Sequence, residues 1–100
     1  MEVIKEISKK IDDELEDAEK YIKCALKKKQ EYPQLADAYF KLSLEEMNHV
    51  AILHDQVVRI ITEYKKSHEV PPAMQTIYDY LHERQIGWAE KIKRKQEAFK

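Results

Sequence analysis

Breakers of regular helix are almost absent from this chain: one glycine, Gly87, and three prolines, Pro33, Pro71 and Pro72, in 100 residues. Proline inside a helix removes a backbone hydrogen bond and clashes with the preceding turn, and the residue before it avoids helical geometry. Tyr32-Pro33 and Val70-Pro71-Pro72 therefore cut the chain into three uninterrupted stretches. Helices are predicted near 3–30, 34–66 and 72–98, each about 40–50 Å long at 1.5 Å per residue. Lys27-Lys28-Lys29 and Lys65-Lys66 fall where helix C-termini favour positive charge. A chain of this length supports one core, so residues 1–100 read as a single all-α domain of long antiparallel helices.

Several classes are disfavoured at once. No apolar run approaches the roughly 18 residues that cross a bilayer. The opening MEVIKEISKK lacks the apolar centre of a signal peptide, so a cytoplasmic protein without a membrane partner is expected. Cys24 is the only cysteine, which excludes intrachain disulfides and any CxxC zinc or rubredoxin module. A formal charge of −1 argues against nucleic acid as the default partner. Charge is unevenly spread, with six acids and no base over residues 12–19 and five bases against one acid over 91–100. Both runs read first as solvated helix faces.

Apolar residues of the first helix recur at three- and four-residue steps through Ile4, Ile7, Ile11, Ala18, Tyr21 and Ala25. The member missing between Ile11 and Ala18 falls on Glu14. In the second helix the line Leu35, Tyr39, Leu42, Leu53, Ile60 and Tyr64 skips two positions, occupied by Glu46 and His49. Three polar side chains thus interrupt two apolar seams, and they are expected to be buried there. Carboxylates taken out of water require a base, a proton or a cation. No Lys or Arg lies on the seams around Glu14 and Glu46, and two carboxylates with an imidazole suit iron, manganese or zinc. The string Glu-x-x-His is common by itself. Chance gives about 0.8 such pairs in this composition, and Asp79-x-x-His82 is a related acid-x-x-His spacing. Its weight here comes from the seam and from Glu14 on the adjacent helix.

These residues resemble the ferritin-like superfamily of di-iron carboxylate proteins, in particular its rubrerythrin-like and encapsulated-ferritin branches. Those families carry a ligand Glu followed seven residues later by an aromatic, as in Glu14 and Tyr21. Their next helix opens on a Pro-x-Leu-like turn and carries Glu-x-x-His, as in Pro33-Gln34-Leu35 and Glu46-Met47-Asn48-His49. The resemblance covers roughly residues 10–65. It implies a di-iron centre with Glu14 as a terminal ligand, Glu46 as a bridging one and His49 as a nitrogen donor. It also implies ferroxidase or iron-handling activity, since no rubredoxin module supplies electrons. Asp13 and Glu16 could resemble the iron-collecting cluster on the first helix of the encapsulated branch, but Lys20 replaces an aromatic there, and no docking tail for an encapsulating shell follows the third helix.

A ferritin-like bundle draws one Glu from each of two helices and Glu-x-x-His from each of the other two. One chain here supplies half of that set. A twofold homodimer completes it with no further sequence requirement. Completion by Asp79, His82 or Glu83 of the third helix is disfavoured, because His49 and His82 differ by roughly 10 Å in depth along antiparallel helices. His54 matches His82 in depth, and both read first as ordinary rim histidines. The third helix is expected to pack through Met74, Ile77, Leu81, Trp88, Ile92 and Phe99. The competing class is a metal-free helical oligomerisation module whose polar seam residues set register.

Overall fold

The computed structural model describes all 100 residues as three helices, α1 (Glu2–Lys28), α2 (Pro33–Lys65) and α3 (Pro72–Phe99), with no strand. The prolines act as their positions require. Tyr32, held out of helical geometry at φ −135° and ψ 69°, leads into Pro33 in the first turn of α2. Pro71, at φ −54° and ψ 140°, does the same for α3. Between α1 and α2 the chain reverses within four residues, with the Tyr32 N–H donating to the Lys28 carbonyl at 2.8 Å.

The helices run up, down and up into a rod of 56 × 18 × 18 Å. Its radius of gyration, 16.2 Å, exceeds the roughly 13 Å of a compact chain of this size. A bundle of only three long helices leaves much of each one in contact with solvent.

The buried line of α1 is Ile4, Ile11, Leu15, Ala18, Ile22 and Ala25, a heptad-like seam of the kind that pairs long helices. Against it α2 buries Ala36 and Ser43 completely and packs Tyr39, Phe40, Met47, Val50, Leu53 and Val57 around them. Small residues meet at the closest approach, where the Ser43 hydroxyl donates to the Ala18 carbonyl at 2.8 Å. Fully enclosing Leu15, Ile22 and Ile92 contributes roughly 1.5–3 kcal/mol each.

Helix α3 leans mainly on α1 and least on α2. Polar groups stitch it to α1. Arg84 Nη2 donates to both oxygens of Asp12 at 2.6 Å, and the Gln85 amide donates to the Ser8 carbonyl at 3.1 Å. Lys95 lies 3.5 Å from Glu19. At the far end the rings of Phe40 and Phe99 stack at 4.8 Å, and the Gln96 amide donates to Ser43 Oγ at 2.9 Å.

The seams differ in register from the sequence expectation. Leu15 and Ile22, rather than Glu14 and Tyr21, face the core of α1. On α2 only Leu35 and Leu42 of the expected line are turned outward and exposed, while Tyr39 and Leu53 of the same line pack against the core. On α3, Ile92 and Phe99 are buried as expected and Ile77 is exposed, while Tyr78, Gln85 and Gln96 occupy the interface. The common reason is that this core selects for fit. Ala36 and Ser43 are small enough for close helix contact, and the two glutamines find partners on neighbouring helices.

Candidate metal centre

Glu14 on α1 and Glu46 and His49 on α2 come together near the middle of the hairpin. One donor atom from each lies within 4.8 Å of the others. His49 Nδ1 stands 3.4 Å from Glu14 Oε2 and 3.6 Å from Glu46 Oε2. Antiparallel packing fixes this meeting, because the turn at Pro33 sets which levels of α1 and α2 face each other. The i, i+3 step then stacks His49 over Glu46 on one side of α2.

The expected burial of all three is corrected. Glu46 is largely enclosed, with its side chain 17% exposed, whereas Glu14 is 29% and His49 50% exposed. The group forms the lip of the α1/α2 seam. Its outward turn follows from the register: Leu15 and Met47 take the inner positions, one residue beyond each glutamate.

Within this lip one atom is anomalous. Glu46 Oε2 is buried and has no hydrogen-bond partner, since His49 at 3.6 Å is beyond bonding reach. A buried unsatisfied oxygen costs about 1–3 kcal/mol, and more for a charged group. A cation would remove that cost. Donors on one ion at metal–ligand distances of about 2.0–2.2 Å stand roughly 3–4 Å apart, which both His49 separations satisfy. Two carboxylate oxygens and one imidazole nitrogen form a ligand set for iron, manganese or zinc, with coordination positions left over.

Helix α3 does not reach this group. It docks on the side of α1 that carries Asp12 and Glu19, and Asp12 and Glu14 lie about 160° apart around the helix. Asp79, His82 and Glu83 are accordingly absent from the donor cluster. His82 instead stacks on His54 at 4.8 Å between ring centres, the contact that their matched depth allowed. Asp12, read in sequence as part of a solvated acidic face, is the anchor for Arg84. Tyr21 and Tyr39 stack on each other with ring centres 6.2 Å apart, two turns from Glu14 and Glu46, and neither hydroxyl bonds to the triad.

One turn from Glu46, α2 presents the exposed Leu42; the exposed Leu35 on α2 and Val3 on α1 lie about 16 Å along their helices from Glu46 and Glu14. No helix is long and apolar enough to cross a membrane. Comparison with protein-family models, curated proteins and solved structures yields no match. The chemistry of the site must therefore carry the functional reading.

Proposed function

We propose that this chain binds a divalent transition-metal ion through Glu14, Glu46 and His49, and that two copies pair across the open α1/α2 face to complete a ferritin-like di-metal carboxylate centre. Iron is the first choice of metal, with manganese and zinc as alternatives. The observation that carries the reading is the unpartnered, buried Glu46 Oε2 beside two further ligand groups. On this reading Glu46, the most enclosed of the three, would be the ligand held most firmly by the protein. Glu14 and His49, nearer solvent, would supply the other oxygen and nitrogen donors. A pair of irons held in this way would supply redox capacity for oxidation of Fe(II) by dioxygen or peroxide. Pairing would also cover Leu35 and Leu42.

A second reading rests on His49 lying between two carboxylates. If protonated, its ring supplies the countercharge itself, and the triad then sets register in a metal-free helical interaction module. Metal analysis of the purified chain, then melting with and without added Fe(II), Mn(II) or Zn(II), separates the two. The metal reading expects bound metal or a clear rise in melting temperature, together with absorbance growth when Fe(II) is added in air. A metal-free chain whose melting ignores all three ions refutes it and leaves the interaction module.

A further inference from the structure

A groove runs between α2 and α3 on the other side of the bundle from the triad. It comprises two cavities of about 250 and 310 Å³ that share Ile11, His54, His82 and Gln85. Across the half of α2 beyond Ser43, no hydrogen bond or ion pair joins α2 to α3, although α3 is bonded to α1 at Asp12, Ser8 and Met1. What bridges the groove there is the stacked pair His54 and His82, with rings 18° from parallel.

We propose that this imidazole pair is a pH-sensitive latch that holds α2 against α3 when neutral and releases it when both rings are protonated. Stacked neutral imidazoles are at ease among Ile11, Val57 and Leu81. A first proton is tolerated, because an imidazolium can lie over a neutral ring. A second places two positive charges face to face with ring centres 4.8 Å apart, well inside a Debye length at physiological salt, so they repel even though His82 is exposed and His54 only half-buried. The surrounding charges do not offset it. Asp55, next to His54 on α2, is paired with Arg59 at 2.8 Å. Asp79 on α3 accepts from the Gln75 amide at 2.8 Å, and Glu83 lies exposed in solvent. Lys93 at the far end of the groove adds positive charge. From α1 the groove receives Ile4, Ser8 and Ile11, none of them charged, while Asp12 is occupied by Arg84. Burial, and then the charge of His82, lower the pKa of His54. A folded-state pKa below the unfolded value of about 6.5 gives stability that is present above that value and lost as pH falls through the folded one.

The test is amide hydrogen exchange of the full chain at pH 7.5 and 5.5, corrected for intrinsic exchange, in wild type and in His82→Gln and His82→Phe. Wild type is expected to lose protection severalfold in residues 54–65 and 72–86 at the lower pH, with residues 15–25 of α1 unchanged. Both variants are expected to lose that contrast, and Phe keeps the stack without a titrating group. An NMR titration of wild type gives a reading independent of how the variants fold, with His54 and His82 expected to titrate as a coupled pair. Two independent, ordinary titrations, or equal loss of protection in wild type and His82→Phe, overturn the latch.

Discussion

Replacing Glu46 by leucine reverses its contribution according to whether metal is present. In the metal-free chain Glu46 Oε2 is buried without a partner, a condition costing about 1–3 kcal/mol. Leucine is similar in bulk and has nothing to satisfy, so Glu46→Leu is expected to recover about 1–2 kcal/mol. For a chain of this length each kcal/mol moves the melting temperature by about 4–8 °C. The apo variant should therefore melt roughly 4–16 °C above apo wild type. With free metal at 100 times Kd, wild type gains about 2.7 kcal/mol by linkage, or roughly 10–20 °C. The variant, having lost its most enclosed ligand, gains nothing.

The two melting curves must then change order on adding metal, which neither a packing effect nor a general charge effect produces. Circular dichroism melts at matched ionic strength, after chelator treatment and after metal addition, read this directly. If apo Glu46→Leu melts below apo wild type, the carboxylate has a stabilising partner in solution, and the argument from the unsatisfied oxygen fails. If the order is unchanged by metal, the donor set does not bind.

His49→Gln should leave apo stability within about 0.5 kcal/mol, as expected of a half-exposed side chain with long contacts, yet weaken metal binding more than about tenfold by calorimetric titration. Ser43→Ala strips the Gln96 amide of its buried acceptor and the Ala18 carbonyl of its side-chain donor; a loss of about 1–3 kcal/mol in urea denaturation is expected, with part of it recovered by Gln96→Leu in the same chain. Tyr78 has its pKa raised, mainly by burial and further by the charges of Tyr64 and Glu2. Its contribution is present below the unfolded value of about 10 and lost as pH rises through the higher folded value, so alkaline melts should decline more steeply in wild type than in Tyr78→Phe.

The three helices were legible in the sequence because proline acts locally. Pro33 and Pro72 stand at the first residues of α2 and α3, and no tertiary contact is needed to place them. Faces were harder to assign. On α1 the lines through Glu14 and Tyr21 and through Leu15 and Ile22 share Ile4, Ile11, Ala18 and Ala25, so spacing alone leaves the second half of each heptad open. On α2 Tyr39 and Leu53 of the expected line do pack against the core, but Leu35 and Leu42 gave way to Ala36 and Ser43, because close packing rewards small size, which hydrophobicity does not record. The convergence of Glu14, Glu46 and His49 was legible because antiparallel depth is arithmetic from the turn. Their exposure was not, since it depends on a rotation smaller than one residue step. Gln85 and Gln96 gave no signal at all, as their partners lie on α1 and α2.

The exposed leucines of α2 tie metal and association together on the proposed reading. Leu42 is exposed one turn from Glu46 on the same side of α2, so a surface that covers it also reaches the carboxylates. Two copies meeting there without cations would bring two Glu14 and two Glu46 side chains together, and like charges removed from water oppose such a contact. Cations invert the sign of that term while the apolar contribution stays constant. On the proposed reading, then, the leucines alone do not make a dimer and the ligands alone do not make a closed centre. Sedimentation should find the metal-free chain monomeric at neutral pH and the metal-loaded chain dimeric, with Leu42→Glu blocking the dimer while the Glu14–Glu46–His49 half site still takes up metal. A dimer of equal strength with and without chelator would separate the two functions and return the triad to a register-setting role.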